Sequence, residues 1–87
     1  MAVFWVYILQ SQTSGRFYCG QTDDLVRRLR EHNDPHYQGS KTTKRFKGPW
    51  IVVWNRTCST RAKAMELETH IKKRGIKRFL SGVGDGC

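Results

Sequence analysis

A lone carboxylate stands on the apolar stripe of a helix-patterned segment: Glu68 falls four residues after Ala64 and three before Ile71. A carboxylate taken out of water without a partner is costly, so Glu68 needs a cation beside it. A divalent metal, Arg28 or a lysine would serve. The metal makes Glu68 part of a reactive centre, and the arginine makes it one half of a stabilising rim pair. Arg28 carries the same two readings, because its planar fork grips phosphate as well as it grips a carboxylate. His32, one helical turn after Arg28, suits a general base or a phosphate donor, and equally a basic cap favoured by the helix dipole. Tyr7 and Tyr18 lie on neighbouring strand-like runs. Their hydroxyls can converge on one sheet face, or each can be a packing residue with a wet hydroxyl.

The elements that must hold these side chains are legible in the pattern. Val3 to Leu9 reads V-F-W-V-Y-I-L, a strand buried on both faces or nearly so. Ser11 to Gly15 is a polar turn, and Arg16 to Gly20 resumes β character, which makes a hairpin. Thr22 or Asp23 caps a first helix that runs to about His32 or Asn33, with Leu25, Arg28, Leu29 and His32 on its stripe. Asn33 to Gly48 is a polar loop holding Lys41, Lys44, Arg45 and Lys47, long enough that a function is expected of it. Pro49 to Trp54 is a third strand with proline tolerated at its start. Ser59 or Thr60 caps a second helix, Arg61 to Arg74, closed by Gly75, with Ala64, Leu67 and Ile71 facing the core. A short third helix of about Ile76 to Leu80 precedes a glycine-rich tail expected to fray. The expectation is one α+β domain over residues 1–80 and a flexible tail over 81–87, built on a three-stranded antiparallel or mixed sheet flanked by helices.

Bulk properties set the partners. The 87 residues suffice for a single domain with a thin core. Sixteen Lys and Arg against seven Asp and Glu leave a net charge of +9. Such a field gathers polyanions, and nucleic acid comes first because phosphate neutralisation supplies most non-specific affinity. Cys19, Cys58 and Cys87 form neither a disulfide framework nor a paired C-x-x-C zinc site. They read as small buried or tail residues of a cytoplasmic protein, nucleoid-associated if bacterial. The longest apolar run, Ala2 to Leu9, is too short to span a bilayer, lacks the basic segment that precedes a signal peptide's apolar core, and no membrane partner is expected.

The ordered series of motifs says more than any one of them. V-Y-I at Val6 to Ile8, Y-C-G at Tyr18 to Gly20, Q-T-D-D-L-V-R-R-L-R-E-H-N at Gln21 to Asn33, P-W-I-V-V-W at Pro49 to Trp54 and A-M-E-L-E-T-H-I-K at Ala64 to Lys72 follow one another over nearly the whole chain. This series resembles the GIY-YIG nuclease superfamily. The likeness is nearest to its small single-domain branch, kin to the nuclease module of Slx1-type structure-specific endonucleases and to bacterial stand-alone proteins. The resemblance implies the GIY-YIG fold and a metal-dependent endonuclease. It matches Tyr7 and Tyr18 to the two motif tyrosines, Gly20 to the glycine closing the second motif, and Arg28 to the catalytic arginine. It matches His32 to a histidine of many members and Glu68 to the metal-binding glutamate. Glu66 lies on another face of the helix. Val6 and Cys19 replace the glycine and isoleucine of the name motifs, positions of strand backbone rather than chemistry.

The implied reaction is in-line attack of water on a phosphodiester of DNA, or of RNA. Glu68 holds one Mg²⁺ or Mn²⁺. Arg28 stabilises the phosphate, and Tyr7, Tyr18 or His32 takes the proton, with Tyr7 favoured as the base and Tyr18 then orienting the water or the phosphate. Phosphate contacts without a sequence code are expected of Arg27, Lys41, Lys44, Arg45, Lys47, Lys72 and Lys73, and along the helix end through Arg74, Lys77 and Arg78. Single-stranded or branched DNA is the expected substrate, with DNA repair as the setting. Trp50 and Trp54 are expected in the core, and would stack bases only if exposed. The alternative is a catalytically weak nucleic-acid-binding module that needs a scaffold or targeting subunit.

Overall fold

The computed structural model describes residues 3–34 and 49–85. Their elements are β1 (Phe4–Ser11), β2 (Phe17–Thr22), α1 (Leu25–Asn33), β3 (Trp50–Cys58), α2 (Arg61–Arg74) and α3 (Ile76–Asp85). The sheet order is β2-β1-β3. Both pairings are antiparallel, so the sheet is not mixed.

The apolar run of the first strand explains why β1 is central. Val6, Tyr7, Ile8 and Leu9 are all buried. Successive side chains of a strand point to opposite faces, so both faces of the sheet must be covered. Tyr7, Leu9 and Trp50 form one cluster with Tyr18, Leu25, Leu29 and Val52, which places α1 on that face. Val6, Ile8 and Cys19 form the other with Ala64 and Ile71, flanked by Leu67, Ile76, Phe79 and Leu80. That face carries α2 and α3. Among the described residues no helix is long and apolar enough to cross a membrane.

Several boundaries differ from the sequence reading. β3 runs four residues past Trp54, because β1 offers partners as far as the Phe4↔Cys58 pair. Likewise β2 reaches Thr22 opposite Trp5. Because Thr22 is still in the ladder, it cannot cap α1, and Asp24 does so by accepting from the Arg27 N–H at 3.0 Å. The Thr22 hydroxyl accepts from the Asp24 N–H at 3.1 Å and closes the turn. Thr60 caps α2, and Gly75 ends it at φ +95°, donating its N–H to the Ile71 carbonyl. α3 continues from Leu80 to Asp85, into the segment expected to fray. Ile76, Phe79 and Leu80 pack its first turns on the core. Once a packed turn exists, each further residue adds a hydrogen bond cheaply enough to carry the helix through glycines.

Asn33 ties α1 to β3. Its amide donates to the Trp50 carbonyl at 3.0 Å and accepts from the Trp50 N–H at 2.7 Å. This side chain behaves as a one-residue extension of the sheet. The basic loop residues Lys41, Lys44, Arg45 and Lys47 lie outside the described residues.

Candidate active site

Strand register brings the two tyrosines together. Tyr7 pairs with Gly20, and Leu9 with Tyr18, so both tyrosines stand on the α1 face at neighbouring ladder positions. Their ring centroids are 6.3 Å apart. Gly20 matters because it has no side chain. A Cβ there would lie 2.7 Å from the Tyr7 hydroxyl oxygen and 2.9 Å from its Cζ, so the phenol lies flat over the strand only because position 20 is glycine.

α1 supplies the third ring. His32 is buried, not an exposed cap. Its Nε2 is 3.0 Å from the Tyr7 hydroxyl, and its ring meets Tyr18 edge-on at 4.9 Å. With the imidazole proton on Nδ1, the phenol donates to Nε2. Burial raises the Tyr7 pKa well above its ordinary value, and the neighbouring Tyr18 adds to the rise. The Arg28 guanidinium pulls the other way, and Glu68 adds a further rise. The net effect holds the phenol protonated, so Tyr7 is not a ready base by itself.

Arg28, one turn before His32, is largely buried and donates to Glu31 at 2.9 Å. It therefore pairs with Glu31, and the direct ion pair to Glu68 entertained from the sequence is not what the helix makes. Glu31 was missed by the sequence reading, although its spacing to Arg27 and Arg28 is that of a helical ion pair. Arg27 is engaged on the outside of the helix, 3.1 Å from Asp23 and 3.8 Å from Glu31. Exposed pairs of this kind are weak and exchange readily for phosphate.

Glu68 stands on α2, which packs against β1 and β2. Its Oε2 accepts from Lys72 Nζ at 3.1 Å, with Glu68 mostly shielded and Lys72 half exposed. Its charge is felt by Tyr7 and Cys19. Burial lowers the Lys72 pKa, but the hydrogen bond and charge of Glu68 outweigh this and leave it raised. Burial, with Glu68 adding to it, pushes the Cys19 thiol up to about 11. Among the described residues no three His, Cys, Asp or Glu side chains gather as a cation cage. A single carboxylate amid cationic groups nonetheless suits a hard cation, since Mg²⁺ is commonly bound by one or two carboxylates with waters and substrate phosphate. Lys72, Lys73, Arg74, Lys77 and Arg78 are exposed along α2 and α3. Trp50 is buried and Trp54 packs edge-on against Phe79 at 5.0 Å, so both tryptophans belong to the core.

The sequence profile of the GIY-YIG catalytic domain matches residues 3–78. The chain belongs to the GIY-YIG family. GIY-YIG relatives include the structure-specific endonuclease subunit SLX1 of Meyerozyma guilliermondii, 37% identical over 84 residues, covering 93% of this chain and 28% of that protein. A UPF0213 protein of Aeromonas salmonicida is 34% identical over 70 residues, covering 80% of this chain and 49% of that one. The chain thus spans under a third of the first relative's length and about half of the second's. The solution NMR structure of a UPF0213 protein from Bacillus halodurans shares the GIY-YIG architecture, at TM-score 0.56 and 29% identity over 94% of this chain and 83% of that one.

Proposed function

We propose that this GIY-YIG domain is a divalent-metal-dependent endonuclease acting on DNA, preferring single-stranded or branched substrates without strong sequence specificity. The observation that carries the reading is the buried Tyr7–His32 hydrogen bond at 3.0 Å, bordered by Tyr18 and Arg28. A structural tyrosine needs one hydrogen-bond partner. A proton-transfer pair needs this particular one, with a positive fork beside it and a carboxylate in electrostatic reach.

Glu68 would hold Mg²⁺ or Mn²⁺, which when bound neutralises charge on the phosphate and the leaving oxygen. The chain's own residues do the rest. Tyr7 is held protonated by burial, so it accepts the water's proton only as it passes its own to His32 Nε2. This relay replaces a free tyrosinate, which a phenol with an ordinary pKa near 10 scarcely forms at neutral pH. Tyr18, packed on His32, orients the water or a phosphate oxygen. Arg28 leaves Glu31 for the non-bridging oxygens, where a preformed positive fork acts as charge develops. The exposed basic residues from Lys72 to Arg78 position the backbone without reading bases.

The word "subunit" in the name of the Meyerozyma relative supports a scaffold or targeting partner for this chain too. The test is cleavage of fluorescent single-stranded, duplex and branched DNA with Mg²⁺ or Mn²⁺, comparing wild type with Glu68→Ala and His32→Ala. Metal-dependent products lost in both variants support the reading. Salt-sensitive binding with no products from wild type overturns it in favour of a binding module that waits for its partner.

A further inference from the structure

The acid and the cation of this site do not neutralise each other. Each is held by a neighbour on its own helix: Arg28 by Glu31 at 2.9 Å, and Glu68 by Lys72 at 3.1 Å. The second pair has a consequence for loading. Lys72 Nζ holds Glu68 Oε2, which puts its positive charge close to where a hard cation bound to the same carboxylate, at roughly 2.0–2.1 Å for Mg²⁺, would sit. An ammonium and a divalent cation repel, so each weakens the other's hold on Glu68.

We propose that Lys72 is a latch on the metal-binding carboxylate. It competes with the cation for Glu68 in the resting protein and, once displaced, moves to a phosphate oxygen of the bound nucleic acid. The inference rests on the reading of Glu68 as the metal ligand. Lys72 is built for the exchange. Its head is half exposed on a flexible stem with three donors, and its i,i+4 spacing keeps it beside Glu68 whichever partner it holds. Metal takes one member of the ion pair and phosphate takes the other, so each ligand removes the obstacle to its counterpart. Coupling of this kind is reciprocal: nucleic acid raises metal affinity by the same factor as metal raises nucleic-acid affinity.

The experiment measures Mn²⁺ affinity of the whole chain by the electron paramagnetic resonance signal of free Mn²⁺. It is done with and without a single-stranded oligonucleotide whose phosphorothioate linkages resist cutting. Wild type is compared with Lys72→Met, Lys63→Met and Glu68→Gln. Lys72→Met keeps the aliphatic stem and removes the competing charge, and Lys63→Met, an exposed lysine near the start of α2, controls for general loss of charge. Without oligonucleotide, Lys72→Met should bind Mn²⁺ about fivefold tighter than wild type, and Lys63→Met should stay within about twofold, the scale set by a partly exposed ion pair. Oligonucleotide should tighten Mn²⁺ binding in wild type and lose most of that effect in Lys72→Met. Equal affinities for Lys72→Met and wild type, with binding lost in Glu68→Gln, overturn the latch and leave the metal reading standing. Undiminished Mn²⁺ binding by Glu68→Gln overturns both.

Discussion

Gly20→Ala isolates the contact that seats Tyr7. The backbone does not forbid the change, because the positive-φ glycines among the described residues are Gly15 and Gly75. A strand glycine replaced by alanine normally gains about 0.5–1 kcal/mol from reduced chain entropy. Here the added methyl would lie 2.7 Å from the Tyr7 hydroxyl oxygen, 2.9 Å from its Cζ and 3.2 Å from Tyr18 Cε1. Tyr7 is 1% exposed, so its ring has no open space to enter. Overpacking of this kind costs about 1–3 kcal/mol, and the expected net loss is about 1–2 kcal/mol. In a domain of this size that lowers Tm by roughly 4–15 °C. Moving the phenol also breaks its bond to His32, so cleavage should fall further than stability explains. The assay is urea unfolding followed by tryptophan fluorescence, alongside DNA cleavage at a temperature where both proteins are folded. Gly82→Ala supplies the opposite sign: its nearest neighbour is the flexible end of Arg74 at 3.6 Å, so it should stabilise by about 0.5–1 kcal/mol. A Gly20→Ala protein as stable and as active as wild type would refute the steric reasoning.

Stability should fall in alkali through Cys19, whose thiol is raised by burial from 9.0 to about 11. The folded state holds this proton more tightly than the unfolded chain, so the contribution is complete below pH 9 and is lost as pH rises towards 11. Its full size is about 2–3 kcal/mol, and Cys19→Ala should flatten the fall in urea midpoint between pH 9 and 10. Asn33→Ala removes both bonds to the Trp50 backbone and should cost about 1–3 kcal/mol; an unchanged midpoint would show that water replaces the amide. Lys73→Gln with Arg78→Gln should lower the slope of log binding constant against log salt by about one per lost charge, equally for unrelated DNA sequences, and a sequence-dependent loss would contradict purely phosphate contacts.

Much of this protein was settled by its sequence alone. The uninterrupted apolar run of β1 has no polar alternation, so it read as a strand buried on both faces, and the pairing with β2 and β3 put it in the middle of the sheet. The spacing of Ala64, Leu67 and Ile71, bounded by Ser59 or Thr60 before it and Gly75 after it, set α2 to its observed ends, because caps and periodicity are local. The ordered tyrosine, arginine and glutamate motifs placed the chain in the GIY-YIG family. What local pattern could not decide was partnership across the fold. Thr22 looked like a cap until the ladder claimed it for β2. β3 ran on to Cys58 because β1 offered partners to polar residues that do not look like a strand. His32 had the spacing of a dipole-favoured cap, and only the sheet behind it buried the ring against Tyr7 and Tyr18. Gly20 was legible as a motif residue, but its purpose lies in the Tyr7↔Gly20 register, a pairing between residues 13 positions apart. The same holds for charge. Arg28 and Glu68 each fit several partners by type, and the folded chain chose Glu31 and Lys72 because helix neighbours meet at no further cost in chain entropy.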